Sequence, residues 1–159
     1  MQASSSYPQL TVRRVGNEYR LLEVKGAGCA SCGEANIRYG YDKLGRLTEE
    51  TRLSPTGQPL RTTITERDTL GRPLRVRSVS YQNGKAQPAR LLVRYEYEGQ
   101  GTQPSLVARS SVIPGKEATT RIVYNAYGQP LSVTENGFRP LDDQGQSAPA
   151  PIARTITYT

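Results

Sequence analysis

The sequence predicts an all-β fold: an antiparallel meander of hairpins forming a curved sheet. Three observations predict it. Short runs of alternating apolar and polar residues are punctuated by Gly, Pro and Asn along the whole chain. Four of the punctuating segments align with one another. No window carries a sustained i, i+3, i+4, i+7 apolar stripe with caps, so almost no helix is expected.

Taken in order, residues 1–9 read as a mobile N-terminal tail, with Ser4-Ser5-Ser6 too polar to pack. Leu10–Val15 and Glu18–Val24 alternate as strands around Gly16-Asn17, a two-residue hairpin signal in which Gly takes positive φ. A glycine-rich Cys-x-x-Cys loop covers 26–34. Tyr39 with Tyr41, Tyr95 with Tyr97, Ile122 with Tyr124, and Ile156 with Tyr158 then share faces at period two. Asn83-Gly84 is a second turn, between Arg75–Tyr81 and Arg90–Tyr97. Residues 138–153 are expected as an irregular loop, because Pro140, Gly145, Pro149 and Pro151 interrupt any ladder. Residues 154–159 read as a terminal strand. About ten short strands are expected at this turn spacing.

The aligned segments are Tyr41-Asp42-Lys43-Leu44-Gly45-Arg46-Leu47, Leu53-Ser54-Pro55-Thr56-Gly57-Gln58-Pro59-Leu60, Arg67-Asp68-Thr69-Leu70-Gly71-Arg72-Pro73-Leu74 and Tyr124-Asn125-Ala126-Tyr127-Gly128-Gln129-Pro130-Leu131. Each position has a physical task. Asp, Asn or Ser accepts hydrogen bonds from amides just ahead and closes the turn. Gly takes the left-handed conformation that side chains resist. Pro, which cannot donate to a ladder, suits the first position of the next strand. Leu restarts the apolar face.

These segments resemble YD repeats, the building unit of the Rhs family. The match is best at Tyr41-Asp42-x-x-Gly45-Arg46-Leu47 and good at Tyr124 to Leu131. It is degraded at Arg67-Asp68 and Leu53-Ser54, where the leading Tyr is replaced. The resemblance covers roughly 35–137, with Thr155-Ile156-Thr157-Tyr158 similar to a strand entering another repeat. It assigns 10–137 to one YD-repeat domain. In the family, many such hairpins coil into a β-shell around a C-terminal toxin, or belong to an adhesion protein. The resemblance therefore implies a non-catalytic structural segment of a secreted or cell-surface shell. Its implied partners are other YD-repeat segments or an enclosed toxin polypeptide. No family cleavage residue has a counterpart here, and Asp142-Asp143 lies in the Pro/Gly-rich loop.

Composition narrows the remaining classes. The chain has 159 residues, a net charge of +7, no His and no Trp. Without His, imidazole-dependent triads and His-ligated zinc are excluded. No apolar run is long enough to span a membrane as a helix, and Met1 to Ser6 does not read as a secretory signal. Only 35% of residues are apolar, yet ten are Tyr. That combination argues against disorder and for a thin sheet with one half-buried face. Between Arg61 and Arg94, eight basic residues (Arg61, Arg67, Arg72, Arg75, Arg77, Lys85, Arg90, Arg94) face Glu66 and Asp68. These read as a solvated strand surface with Arg stems over Tyr rings, without specific nucleic-acid binding.

Cys29 and Cys32 leave four readings open: half a zinc site completed by another chain, a redox pair, a short-loop disulfide, or two reduced thiols. The glycines of 26–33 lack the Lys-Ser/Thr of a phosphate-binding loop. Asp42 and Asp68 are needed by their turns, so neither they nor Glu66 form an expected metal or acid–base site. No catalytic residue, cofactor or metal site is therefore expected. Two further functional readings stand beside the structural one: a module binding carbohydrate or an acidic protein through Tyr95, Tyr97 and surface Arg, and an enzyme with Cys29 as nucleophile. Edge strands, Leu10–Val15 or its partner and Thr155–Tyr158, are expected to favour self-association.

Overall fold

The computed structural model describes residues 8–26, 36–111, 113–138 and 151–158. Among them there is no helix, and twelve strands form one antiparallel meander. The strands are β1 (Gln9–Val15), β2 (Glu18–Lys25), β3 (Asn36–Tyr41), β4 (Leu47–Leu53), β5 (Pro59–Arg67), β6 (Pro73–Gln82), β7 (Lys85–Ala86), β8 (Arg90–Glu96), β9 (Leu106–Ser110), β10 (Glu117–Tyr124), β11 (Pro130–Phe138) and β12 (Pro151–Thr157). Neighbours in sequence are neighbours in the sheet, except that the short β7 pairs with β6 alone and β8 follows β6 directly. The strand order begins at β1 and ends at β12.

The chain divides into two compact units, Met1–Glu66 with Arg77–Arg90 and Arg67–Val76 with Leu91–Thr159. In the first unit, β1 and β2 pair around Gly16-Asn17, with Gly16 at φ +63° as expected. Asn83 and Gly84 both take positive φ, which matches the right-handed twist of the flanking strands. Their immediate hairpin partner is the short β7, and β8, which starts at Arg90 as the sequence suggested, is the next strand hydrogen-bonded to β6. The partner strand is only two residues long, and Pro88 lies beyond it without an N–H to extend the ladder. In the second unit, β8, β9, β10, β11 and β12 pair in series.

Proline sits where the repeats predicted it. Pro59, Pro73 and Pro130 are the first residues of β5, β6 and β11. Two boundaries differ. The tail expected over 1–9 ends earlier, because Gln9 already pairs with Lys25. The loop expected over 138–153 is shorter at both ends, because Phe138 pairs with Pro151 and β12 is strand from there. Pro151 is compatible with that strand since it occupies its first position, where a missing N–H breaks little. The centre of that segment, residues 1–7 and the Cys29–Cys32 loop lie outside the described residues.

Burial is sparse, as a thin sheet requires. The buried apolar side chains among the described residues are Leu53, Leu106, Val107 and Ala108. Leu106 to Ala108 are consecutive in β9, so the first part of this strand is covered on both faces, while Arg109 and Ser110 are exposed.

Candidate functional site

The most highly built feature of the chain is its repeated turn. In each aligned segment the first turn residue donates its N–H to the C=O four residues on and accepts from the glycine N–H. These two bonds are 3.0 and 3.0 Å at Asp42–Arg46, 2.8 and 2.9 Å at Ser54–Gln58, 3.0 and 3.0 Å at Asp68–Arg72, and 2.9 and 3.0 Å at Asn125–Gln129. The side-chain oxygen adds a third bond, accepting the N–H of Arg46 (2.9 Å), Gln58 (3.1 Å), Arg72 (2.9 Å) or Gln129 (3.0 Å). The glycines lie at φ +76°, +83°, +89° and +77°, and the adjoining ladders of the first, second and fourth turns each shift register once. This is a type I turn closed by a glycine bulge, which lets one extra residue fit without splaying the strands.

Charge strengthens two of the four. Arg46 Nε lies 2.6 Å from Asp42 Oδ2, and Arg72 Nε lies 2.6 Å from Asp68 Oδ2. The Arg46 backbone N–H holds the Asp42 carboxyl below its ordinary value, assisted by the guanidinium. Burial pushes Asp68 upward, but the Arg72 guanidinium and N–H outweigh it, and its carboxyl also lies low.

The leading residue of each turn anchors it to a more distant strand. Tyr41 donates its hydroxyl to the Leu21 C=O at 2.8 Å, and Tyr124 does the same to the Pro104 C=O at 3.1 Å. Both acceptors lie twenty residues back. Leu53 replaces this bond by burial and is only 1% exposed. Arg67 instead donates to the Gly71 C=O within its own turn, at 2.9 Å.

Two turns escaped the sequence reading. At Tyr97-Glu98-Gly99-Gln100-Gly101, the Gly101 N–H donates to the Glu98 C=O at 3.2 Å, and the Tyr97 hydroxyl reaches the Pro73 C=O at 2.9 Å. The signal was present as Tyr, an acidic residue, then Gly three positions further on. At 111–116, Ser111 N–H bonds the Lys116 C=O, with Gly115 at positive φ, one residue longer than the common form.

Arg72 joins two of these turns. Besides Asp68, its Nη1 donates to the C=O groups of Gly99 (3.0 Å) and Gly101 (2.7 Å), and its guanidinium carbon stands 4.4 Å from the Tyr97 ring centroid. That contact is the stacking of Arg over Tyr expected for the basic segment. Burial, opposed by Arg72, raises the Tyr97 hydroxyl above its ordinary value. The other cations of that segment are distributed. Arg94 binds both oxygens of Glu117 at 2.9 to 3.3 Å and also pairs with Glu96, which raises the Arg94 guanidinium and lowers the Glu117 carboxyl. Arg77 pairs with Glu66. Arg61, Arg75, Lys85 and Arg90 are exposed on strands.

Among the described residues no group of His, Cys, Asp or Glu is placed to hold a metal ion. No helix among them is long and apolar enough to cross a membrane. Cys29 and Cys32 lie outside the described residues. Tyr97 has its hydroxyl and one face already engaged, whereas Tyr127 in the fourth turn is 88% exposed. Compared with known protein families and with curated proteins, the chain matches no family model and no curated sequence.

Proposed function

We propose that the chain is a non-catalytic structural segment of an Rhs/YD-repeat shell that encloses or presents a toxin or adhesion partner. One observation carries this reading: the same three-bond turn recurs at four sites whose leading residues differ, which is what a wall assembled by repetition requires. Repeated hairpins bury little apolar surface individually and gain stability by pairing with neighbours. The partners are neighbouring YD-repeat segments and an enclosed polypeptide, and the setting is secreted or at the cell surface. The test is the coding sequence on either side, together with protease protection of a co-expressed downstream polypeptide. Further Y-D-x-x-G-R repeats and a protected polypeptide are expected. Unrelated domains directly abutting the chain, with no protection, overturn the reading.

A second reading, carbohydrate binding, is favoured by the exposed ring of Tyr127. Glycan-array binding lost in Tyr127→Ala but kept in Tyr95→Ala would select it.

A further inference from the structure

The four equivalent turns share a backbone but differ at their exposed tips. Their third residues are Leu44, Thr56, Leu70 and Tyr127. The two leucines are 72% and 56% exposed, and Tyr127 exceeds both at 88%. The first and third turns join their ends by a carboxylate and a guanidinium, Asp42 with Arg46 and Asp68 with Arg72. The fourth replaces that ion pair with two neutral amides, Asn125 Nδ2 donating to Gln129 Oε1 at 2.9 Å. A second Asn125 N–H and the whole Gln129 NH2 group lie outside that bond.

A third amide is brought beside them. The bond from the Tyr124 hydroxyl to the Pro104 C=O holds the segment before β9 against this turn. Gln103 Oε1 then stands 3.4 Å from the place a Cβ on Gly128 would occupy, next to Tyr127 in the chain. Gln103 and Gln129 are both exposed. Charged residues make up 22% of the chain, yet 100–105 and 124–131 contain none. The result is an uncovered aromatic ring beside three amides, with no ion supplied by either segment.

We propose that the fourth turn binds a neutral hexopyranose sugar, its ring lying on Tyr127 and its hydroxyls held by the amides of Asn125, Gln129 and Gln103. The C–H groups on one face of a pyranose are complementary to the negative face of an aromatic ring. Sugar hydroxyls both donate and accept, and so do amides, whereas a carboxylate only accepts and a guanidinium only donates. Stripping water from an ion beneath an uncharged ligand is also unfavourable, which the exchange of Asp and Arg for Asn and Gln avoids. This inference rests on the carbohydrate reading above, and it names the sugar class and the polar groups that select it. It is independent of the shell reading.

Titration of the full chain followed by two-dimensional NMR tests it, with neutral malto-, cello- and manno-oligosaccharides against acidic oligogalacturonate. At least one neutral ligand is expected to bind and to shift the side-chain amide signals of Asn125, Gln129 and Gln103. Two variants copy turns that this chain already folds. Tyr127→Leu reproduces the tip of the first and third turns, and Asn125→Asp combined with Gln129→Arg reproduces their clamp. Each is expected to keep the thermal midpoint and to weaken neutral-sugar binding at least about tenfold. Neutral binding that survives the amide exchange unchanged overturns the proposal. So does binding of oligogalacturonate alone, lost in Tyr127→Leu, although the carbohydrate reading then stands. Binding of no sugar at all overturns both.

Discussion

The turns at 41–46 and 53–58 lie in the same unit and share a backbone hydrogen-bond pattern, yet their side chains secure it differently. The first uses Tyr41, tethered by its hydroxyl, with Asp42 clamped by Arg46 and a buried Gly45. The second uses buried Leu53, Ser54 bonded to Thr56 at 2.9 Å, and an exposed Gly57. A repeat that looks degraded in sequence is therefore intact in structure. What the turn requires is an oxygen at its first position and positive φ at its fourth. The leading residue is free to anchor by polarity or by burial.

The largest expected effect breaks the burial anchor. Leu53→Ala should cost about 2–5 kcal/mol, as for a large-to-small change at a closed site, measured by urea denaturation. Next, Gly45→Val should cost about 1–3 kcal/mol from forced positive φ alone. A Cβ there would also stand 3.3 Å from Arg20 Nε, whereas at Gly57 it meets nothing within 4 Å. Gly57→Val should therefore be milder than Gly45→Val, and equal denaturation midpoints would remove the packing difference between the turns. Smaller again, Tyr41→Phe should cost about 0.5–1.5 kcal/mol, the usual range for one hydrogen bond, with the aromatic contacts kept.

The last prediction concerns acid. The Asp42, Asp68 and Glu117 carboxyls titrate below their ordinary values of 3.8, 3.8 and 4.5 in the fold. Unfolded chains thus take up these protons first, so the associated stability is complete above about pH 4.5 and is lost as pH falls through the lowered native values. Asp42→Ser copies the neighbouring turn and should flatten part of that acid limb in a pH series of thermal melts. An unchanged limb would show that the Arg46 clamp contributes nothing.

The sequence by itself determined the turns and the absence of helix among the described residues. An Asp, Asn or Ser and a glycine three positions on act within five residues, through bonds and sterics that need no distant partner. Proline at strand starts was legible for the same reason. The Glu98 turn is equally local but carries a weaker sequence signal, since Glu is a poorer turn residue than Asp or Asn. Only the tertiary structure decided which carbonyls Tyr41, Tyr97 and Tyr124 reach, why Leu53 is buried, and that Arg72 spans two turns. It also decided that β12 extends back to Pro151. Each of these depends on register between residues far apart in the chain, and a pattern of period two is the same in every register that preserves the face.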